Sequence, residues 1–140
     1  MNQYYSIKRR GVAIVNERFE GRSLEVHVVN GEKLMGVVDE VALYELGMSI
    51  ENTPTIISRN SILYVVTGLS DIHGMGECCE KEYVLDEEFI GSDVLTKLVN
   101  GNEIEGRLIK ITRDEVGLAQ GNKAVIIPRR SILYLKILGR

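Results

Sequence analysis

The chain has 140 residues, 44% hydrophobic and 26% charged, with a net charge of −3, a composition that suits one ordinary folded domain or two very small ones. No run approaches the roughly 20 apolar residues of a membrane span, and Met1-Asn2-Gln3-Tyr4-Tyr5 lacks the apolar core of a secretory signal, so a cytoplasmic protein with no membrane partner is expected. The only cysteines, Cys78 and Cys79, are adjacent and poorly placed to bridge one another; both are expected as thiols, with no disulfide framework.

The chain matches itself at a shift of 70. Val29-Asn30-Gly31 falls on Val99-Asn100-Gly101, Gly36 on Gly106, Glu45 on Glu115, Arg59 on Arg129, and Ser61-Ile62-Leu63-Tyr64 on Ser131-Ile132-Leu133-Tyr134. The match is ungapped from about residue 12 to about residue 68, which marks a duplicated domain. Domains are therefore expected at 1–68 and 82–140, joined by a connector at 69–81 that holds Gly74 and Gly76. Charge follows this division. Residues 1–70 carry seven Lys/Arg against eight Asp/Glu, residues 71–89 one against seven, and residues 90–140 nine against five, so the acidity is concentrated in the middle and the second copy is basic.

In chain order, Val12 to Phe19 has poor helical spacing and begins after Gly11, and its residues suit a short helix or a strand equally. Leu24, Val26 and Val28 then alternate with Glu25 and His27, which predicts a strand. Asn30-Gly31 supplies residues that accept positive φ in a tight hairpin turn. A second strand is predicted over Lys33 to Val41, with Gly36 permitting a sharp bend. Three more are predicted at Leu46 to Ile50, Thr55 to Arg59 and Ile62 to Val66, with a turn at Glu51-Asn52. The second copy repeats the series. Glu82 to Phe89 parallels the uncertain opening segment, Val94 to Val99 and Ile104 to Ile111 parallel the hairpin, and Gly106 parallels Gly36. The fold class is all-β, with possible short helices before each first strand, arranged as two tandem five-stranded barrels.

The string Val-Asn-Gly-x-x-Leu/Ile-x-Gly, at Val29 to Gly36 and Val99 to Gly106, resembles the first signature of the Sm, Lsm and Hfq superfamily, whose domain is a five-stranded SH3-like barrel. Ile57-Ser58-Arg59-Asn60-Ser61-Ile62 and Ile127-Pro128-Arg129-Arg130-Ser131-Ile132 resemble the second signature, a turn between the fourth and fifth strands. The resemblance implies that copies join through these strands into a ring. Exposed β-rich edges invite such pairing on physical grounds as well. Two copies per chain give a pseudo-hexameric trimer or a pseudo-octameric tetramer.

The resemblance also implies a partner, single-stranded RNA, bound without catalysis by a chaperone of the Hfq or Lsm kind. The expected RNA-binding residues are Tyr44, on the position of a base-stacking aromatic, Arg59 and Asn60 in one copy's second loop, Arg113, and Arg129 and Arg130 in the other copy's second loop. Lys8, Arg9 and Arg10 add phosphate contacts from a terminal arm. Arginine suits phosphate because its planar fork donates paired hydrogen bonds. Departures count against a uridine-specific site. Asp114 replaces the aromatic in the second copy, Ala42 and Leu46 stand where Sm and Lsm proteins keep Asp and Asn, and Thr112 and Val116 occupy the same places in the second copy. A structural or protein-binding oligomer that has lost RNA binding is the alternative. His73 with Cys78 and Cys79 fits no standard zinc spacing, and no catalytic constellation stands out. No metal or cofactor and no enzymatic activity are expected.

Overall fold

A computed structural model describes residues 13–74, 76 and 78–139. Ten strands make up the regular structure. They are β1 (Ser23–Val28), β2 (Lys33–Val41), β3 (Glu45–Ile50), β4 (Thr53–Ser58) and β5 (Ile62–Val66), then β6 (Asp93–Leu98), β7 (Glu103–Ile111), β8 (Glu115–Gln120), β9 (Lys123–Pro128) and β10 (Ile132–Gly139). Both copies of the opening segment end in a single 3-10 turn, Glu17–Phe19 and Glu87–Phe89, in place of a longer helix. The Asn16 and Asp86 side chains accept from the backbone N–H of Arg18 and Glu88 across these turns, so capping decides what poor apolar spacing could not.

All ten strands belong to one antiparallel sheet, in the order β5-β1-β2-β3-β4-β10-β6-β7-β8-β9. Each half keeps its own five strands, and β4 of the first half pairs with β10 of the second through Ile57↔Tyr134, Ile56↔Leu135 and Thr55↔Lys136. The register slips at the same place in both halves, between Val38 and Glu40 in β2 and between Leu108 and Lys110 in β7. A bulge there bends the strand. Gly36 sits just before it, and a Cβ at Gly36 would collide with the backbone carbonyl of Ser49.

The β1–β2 turn uses one positive φ, at Gly31, rather than two; Asn30 instead accepts from the N–H of Glu32 through its side chain. The two-residue turn with both residues at positive φ is Glu51-Asn52, between β3 and β4.

The alternating apolar residues fill two clusters. Leu24, Val26, Val28, Leu46, Met48 and Ile57 belong to the first, which also takes Leu133 and Tyr134 from β10. Val94, Leu108, Val116, Leu118 and Ile127 belong to the second, which also takes Ala42 and Ile56 from the first half. The connector is largely exposed but tied to the first half by polar contacts. Asp71 pairs with Arg22 and accepts from Thr67 Oγ1, and the Glu80 N–H donates to Glu17 Oε1. Cys78 and Cys79, expected as thiols, have their sulfurs bonded to each other. Both side chains are buried in the first cluster. Among the described residues no helix is long and apolar enough to cross a membrane.

Candidate functional site

The β4–β10 seam carries the loop from β2 to β3 of each half and the 3-10 turns Arg59–Ser61 and Arg129–Ser131 to one side of the molecule. Between them opens a cleft of about 730 Å³, lined by Tyr44, Asn60, Tyr83, Arg113, Arg129 and Arg130, with Glu45, Asp114 and Glu115 among its acidic members. Five of the sequence-predicted site residues thus share one cavity: Tyr44, Asn60, Arg113, Arg129 and Arg130. Lys8, Arg9 and Arg10 lie outside the described residues.

Arg59 points elsewhere. Its Nε donates to the Ala42 carbonyl at 3.0 Å and its Nη2 to the Val15 carbonyl at 2.7 Å. Burial pulls its pKa down. Arg129 repeats half of this arrangement, with Nε and Nη2 donating to the Thr112 carbonyl at 3.3 and 3.1 Å. Both arginines therefore hold the end of the β2–β3 or β7–β8 loop. Carbonyls there lack ladder partners, and a guanidinium fork satisfies them. Arg113 and Arg130 are exposed and make no hydrogen bond or ion pair among the described residues, which leaves their forks open to an anion.

Arg129 does more than its counterpart, because its Nη1 reaches Glu45 Oε2 at 3.2 Å across the seam. Glu45 Oε1 accepts from the backbone N–H of Val84 at 2.7 Å and of Leu85 at 2.9 Å. Burial raises the Glu45 pKa above its ordinary 4.5, while these N–H groups and Arg129 pull it back. The segment that carries Val84 and Leu85 lies over β3. The Leu43 and Tyr44 N–H groups donate to the Lys81 and Glu82 carbonyls at 2.8 and 2.9 Å, so the loop from one half is tied to the irregular segment that leads into the other.

That tie places Tyr83 in the cleft. Its ring lies 5.3 Å from the Tyr44 ring, tilted by 40°, and the Arg129 guanidinium stands over it, 4.1 Å from its centroid. Burial raises the Tyr83 phenol, with Arg129 opposing. Tyr44, Tyr83 and Arg129 thus form one cluster around the Tyr83 ring, in which Tyr44 is exposed. Sequence reasoning missed Tyr83. Its one signal is a break in the repeat, since Ala13 holds the same place in the first copy.

The cleft can therefore offer an aromatic face to a planar group and two unengaged guanidinium groups to anions. Its formal charges balance, with three arginines against Glu45, Asp114 and Glu115, and one pair of these is already neutralised internally. Among the described residues no cluster of His, Cys, Asp and Glu is arranged to hold a metal ion. Comparison with protein-family models and with curated proteins gives no match.

Proposed function

We propose that the chain is a tandem Sm-like protein that binds short single-stranded RNA in the seam cleft and performs no chemistry. A base stacks on Tyr44, which Tyr83 backs, and the flanking phosphates meet Arg113 and Arg130. A stacked base contributes about 1 to 3 kcal/mol and tolerates sequence variation, while arginine forks supply salt-dependent phosphate contacts. The carrying observation is the convergence of Tyr44, Tyr83, Arg113 and Arg130 on one cleft from both halves of the duplication. The strand order within each half, with β1 between β5 and β2 and a glycine bend in β2, is consistent with the Sm-like barrel.

The test is fluorescence anisotropy with short U-rich and A-rich RNAs at two salt concentrations. Binding that weakens steeply with salt, and more so after Arg113→Ala with Arg130→Ala, is expected. Absence of binding to either RNA at micromolar protein and low salt overturns the reading. A protein-binding or structural role then stands in its place. That second reading draws on Arg59 and Arg129, which spend their donors on loop carbonyls and Glu45 instead of facing solvent.

A further inference from the structure

The duplication puts two different side chains at one position of the repeat, and both line the same cleft. Tyr44 and Asp114 are repeats of each other, at the ends of the β2–β3 and β7–β8 loops. Their backbones are held alike. The Tyr44 carbonyl accepts from the Arg59 N–H at 2.9 Å, and the Asp114 carbonyl from the Arg129 N–H at 2.8 Å. The Ala42 N–H donates to the Glu45 carbonyl at 2.9 Å, as the Thr112 N–H does to the Glu115 carbonyl at 2.9 Å. The second loop is closed once more by the Glu115 N–H, which donates to Thr112 Oγ1 at 3.1 Å. Backbone fixed at so many points limits where a side chain as short as aspartate can point.

Glu45, in the same cleft, is already engaged by Arg129 and by the Val84 and Leu85 N–H groups. The Asp114 carboxylate is exposed and makes no hydrogen bond or ion pair among the described residues. It lies close enough to Tyr83 for its charge to act on the phenol, as that of Arg113 does from the same loop. A carboxylate repels phosphate. Where arginines take the phosphates, an unengaged carboxylate is left to meet the part of a nucleotide that donates hydrogen bonds, which is the edge of the base.

An ionised carboxylate has two oxygens and only accepts. Guanine presents two neighbouring donors on its Watson–Crick edge, N1–H and the 2-amino group, which match the two oxygens. Adenine and cytosine present one amino donor beside a ring nitrogen that accepts, and uracil presents one N–H between two carbonyls. Each of these three sets an acceptor against the carboxylate. We propose that Asp114 selects guanine: the base stacks on Tyr44, its N1–H and 2-amino groups donate to the Asp114 carboxylate, and Arg113 and Arg130 take the flanking phosphates. The inference rests on the RNA reading of the cleft and adds the base that the cleft prefers. Paired hydrogen bonds to a charged acceptor are among the strong ones. The asymmetry of the copies, a ring in one and an acceptor in the other, supplies a stacking face and an edge reader in a single site.

The experiment is fluorescence anisotropy of the full chain with labelled uridine hexamers that carry one central G, A, C or inosine, with the all-uridine hexamer as reference. The G hexamer is expected to bind about tenfold more tightly than the A, C and all-uridine hexamers, as one bidentate base contact does. Inosine lacks the 2-amino group and is expected to lose most of that gain. Asp114→Asn keeps the shape of the side chain and gives up one acceptor, and it is expected to bring the G hexamer to the level of the all-uridine one. The Asp114 side chain is exposed, so this variant is expected to match wild type by circular dichroism. Glu105→Gln removes the same charge from an exposed position on β7 outside the cleft and is expected to leave the preference intact. Salt-sensitive binding without a preference for G, equal affinity for G and inosine, or a G preference that survives Asp114→Asn overturns the guanine assignment and leaves the RNA reading standing. Failure of every hexamer to bind at micromolar protein and low salt overturns both.

Discussion

Glu45 and Arg129 are 84 positions apart in sequence and meet at 3.2 Å with both side chains largely buried. A charged pair in such a place is supported by its further hydrogen bonds, here two backbone N–H groups on the carboxylate and a carbonyl on the guanidinium. Removing one partner leaves the other charge buried and uncompensated, which typically costs about 3 to 5 kcal/mol. Glu45→Ala and Arg129→Ala are each expected to lower unfolding free energy by about 3 kcal/mol in urea titrations. The double variant is expected to lose clearly less than the sum of the two; full additivity would mean that the pair contributes nothing specific.

The same carboxylate gives a pH signature. Its folded pKa lies above its ordinary 4.5 because burial dominates, so folding takes up a proton in the window that starts at pH 4.5. This contribution favours the folded state at the acid end and is lost as pH rises through the folded pKa. Relative to Glu45→Gln, wild type is expected to lose stability as pH rises above 4.5. A difference that grows in the opposite direction would show that the hydrogen bonds outweigh burial.

Two glycines on the sheet separate steric need from composition. An added methyl at Gly36 meets the Ser49 carbonyl, which belongs to the backbone of the paired sheet and cannot swing aside; at Gly117 the nearest atom is Lys110 Cβ at 3.5 Å, an ordinary contact. Gly36→Ala is expected to cost about 2 kcal/mol, within the range for overpacking, and Gly117→Ala less than about 0.5 kcal/mol, as for a change that meets no obstacle. Thermal unfolding of both variants checks the contrast.

The arginines of the cleft are expected to divide by role. Arg113→Ala and Arg130→Ala should leave the unfolding midpoint in place, since neither side chain has a partner among the described residues to lose, and each should lower the salt slope of RNA binding by about one. Arg59→Ala should behave oppositely, destabilising the fold through the Ala42 and Val15 carbonyls that it satisfies. Equal effects of all three on RNA affinity at unchanged stability would contradict this division.

Tyr44→Ala is expected to weaken RNA binding by about tenfold, the loss of one stacked base. Tyr44→Phe should keep the affinity, because stacking needs the ring and not the hydroxyl. A Phe variant as weak as the Ala variant would move the phenol, not the ring face, to the centre of recognition.

Much of the fold could be read from residue order. The 70-residue shift and the alternation of Leu24, Val26 and Val28 located the first hairpin, and the strands over Lys33–Val41 and Ile62–Val66 have the expected bounds. The other boundaries moved by one or two residues, because ladder pairing extends past the apolar core, as in Thr53 opposite Ile50. What the local pattern hides is long-range. The pairing of one copy's fourth strand with the other's fifth is an expectation of the resemblance alone, and nothing in the alternation around Thr55 or Tyr134 says that they share a seam. The hydrophobic period also cannot distinguish a core-facing Leu133 from an edge-facing Leu63 in the same Ser-Ile-Leu-Tyr string. The Arg59 role was illegible for a similar reason. An arginine in a turn reads as a solvent-facing cation, and only the Ala42 and Val15 carbonyls, 17 and 44 positions away, reveal that its donors are spent.

The β4–β10 seam lies within a single polypeptide, so its formation is a first-order event. The connector holds the two strands at an effective concentration that short tethers typically set in the millimolar range. Diluting the protein therefore leaves Tyr44 beside Tyr83, whereas any contact between separate chains must weaken. Each molecule carries this cleft ready-made, even when it is solitary.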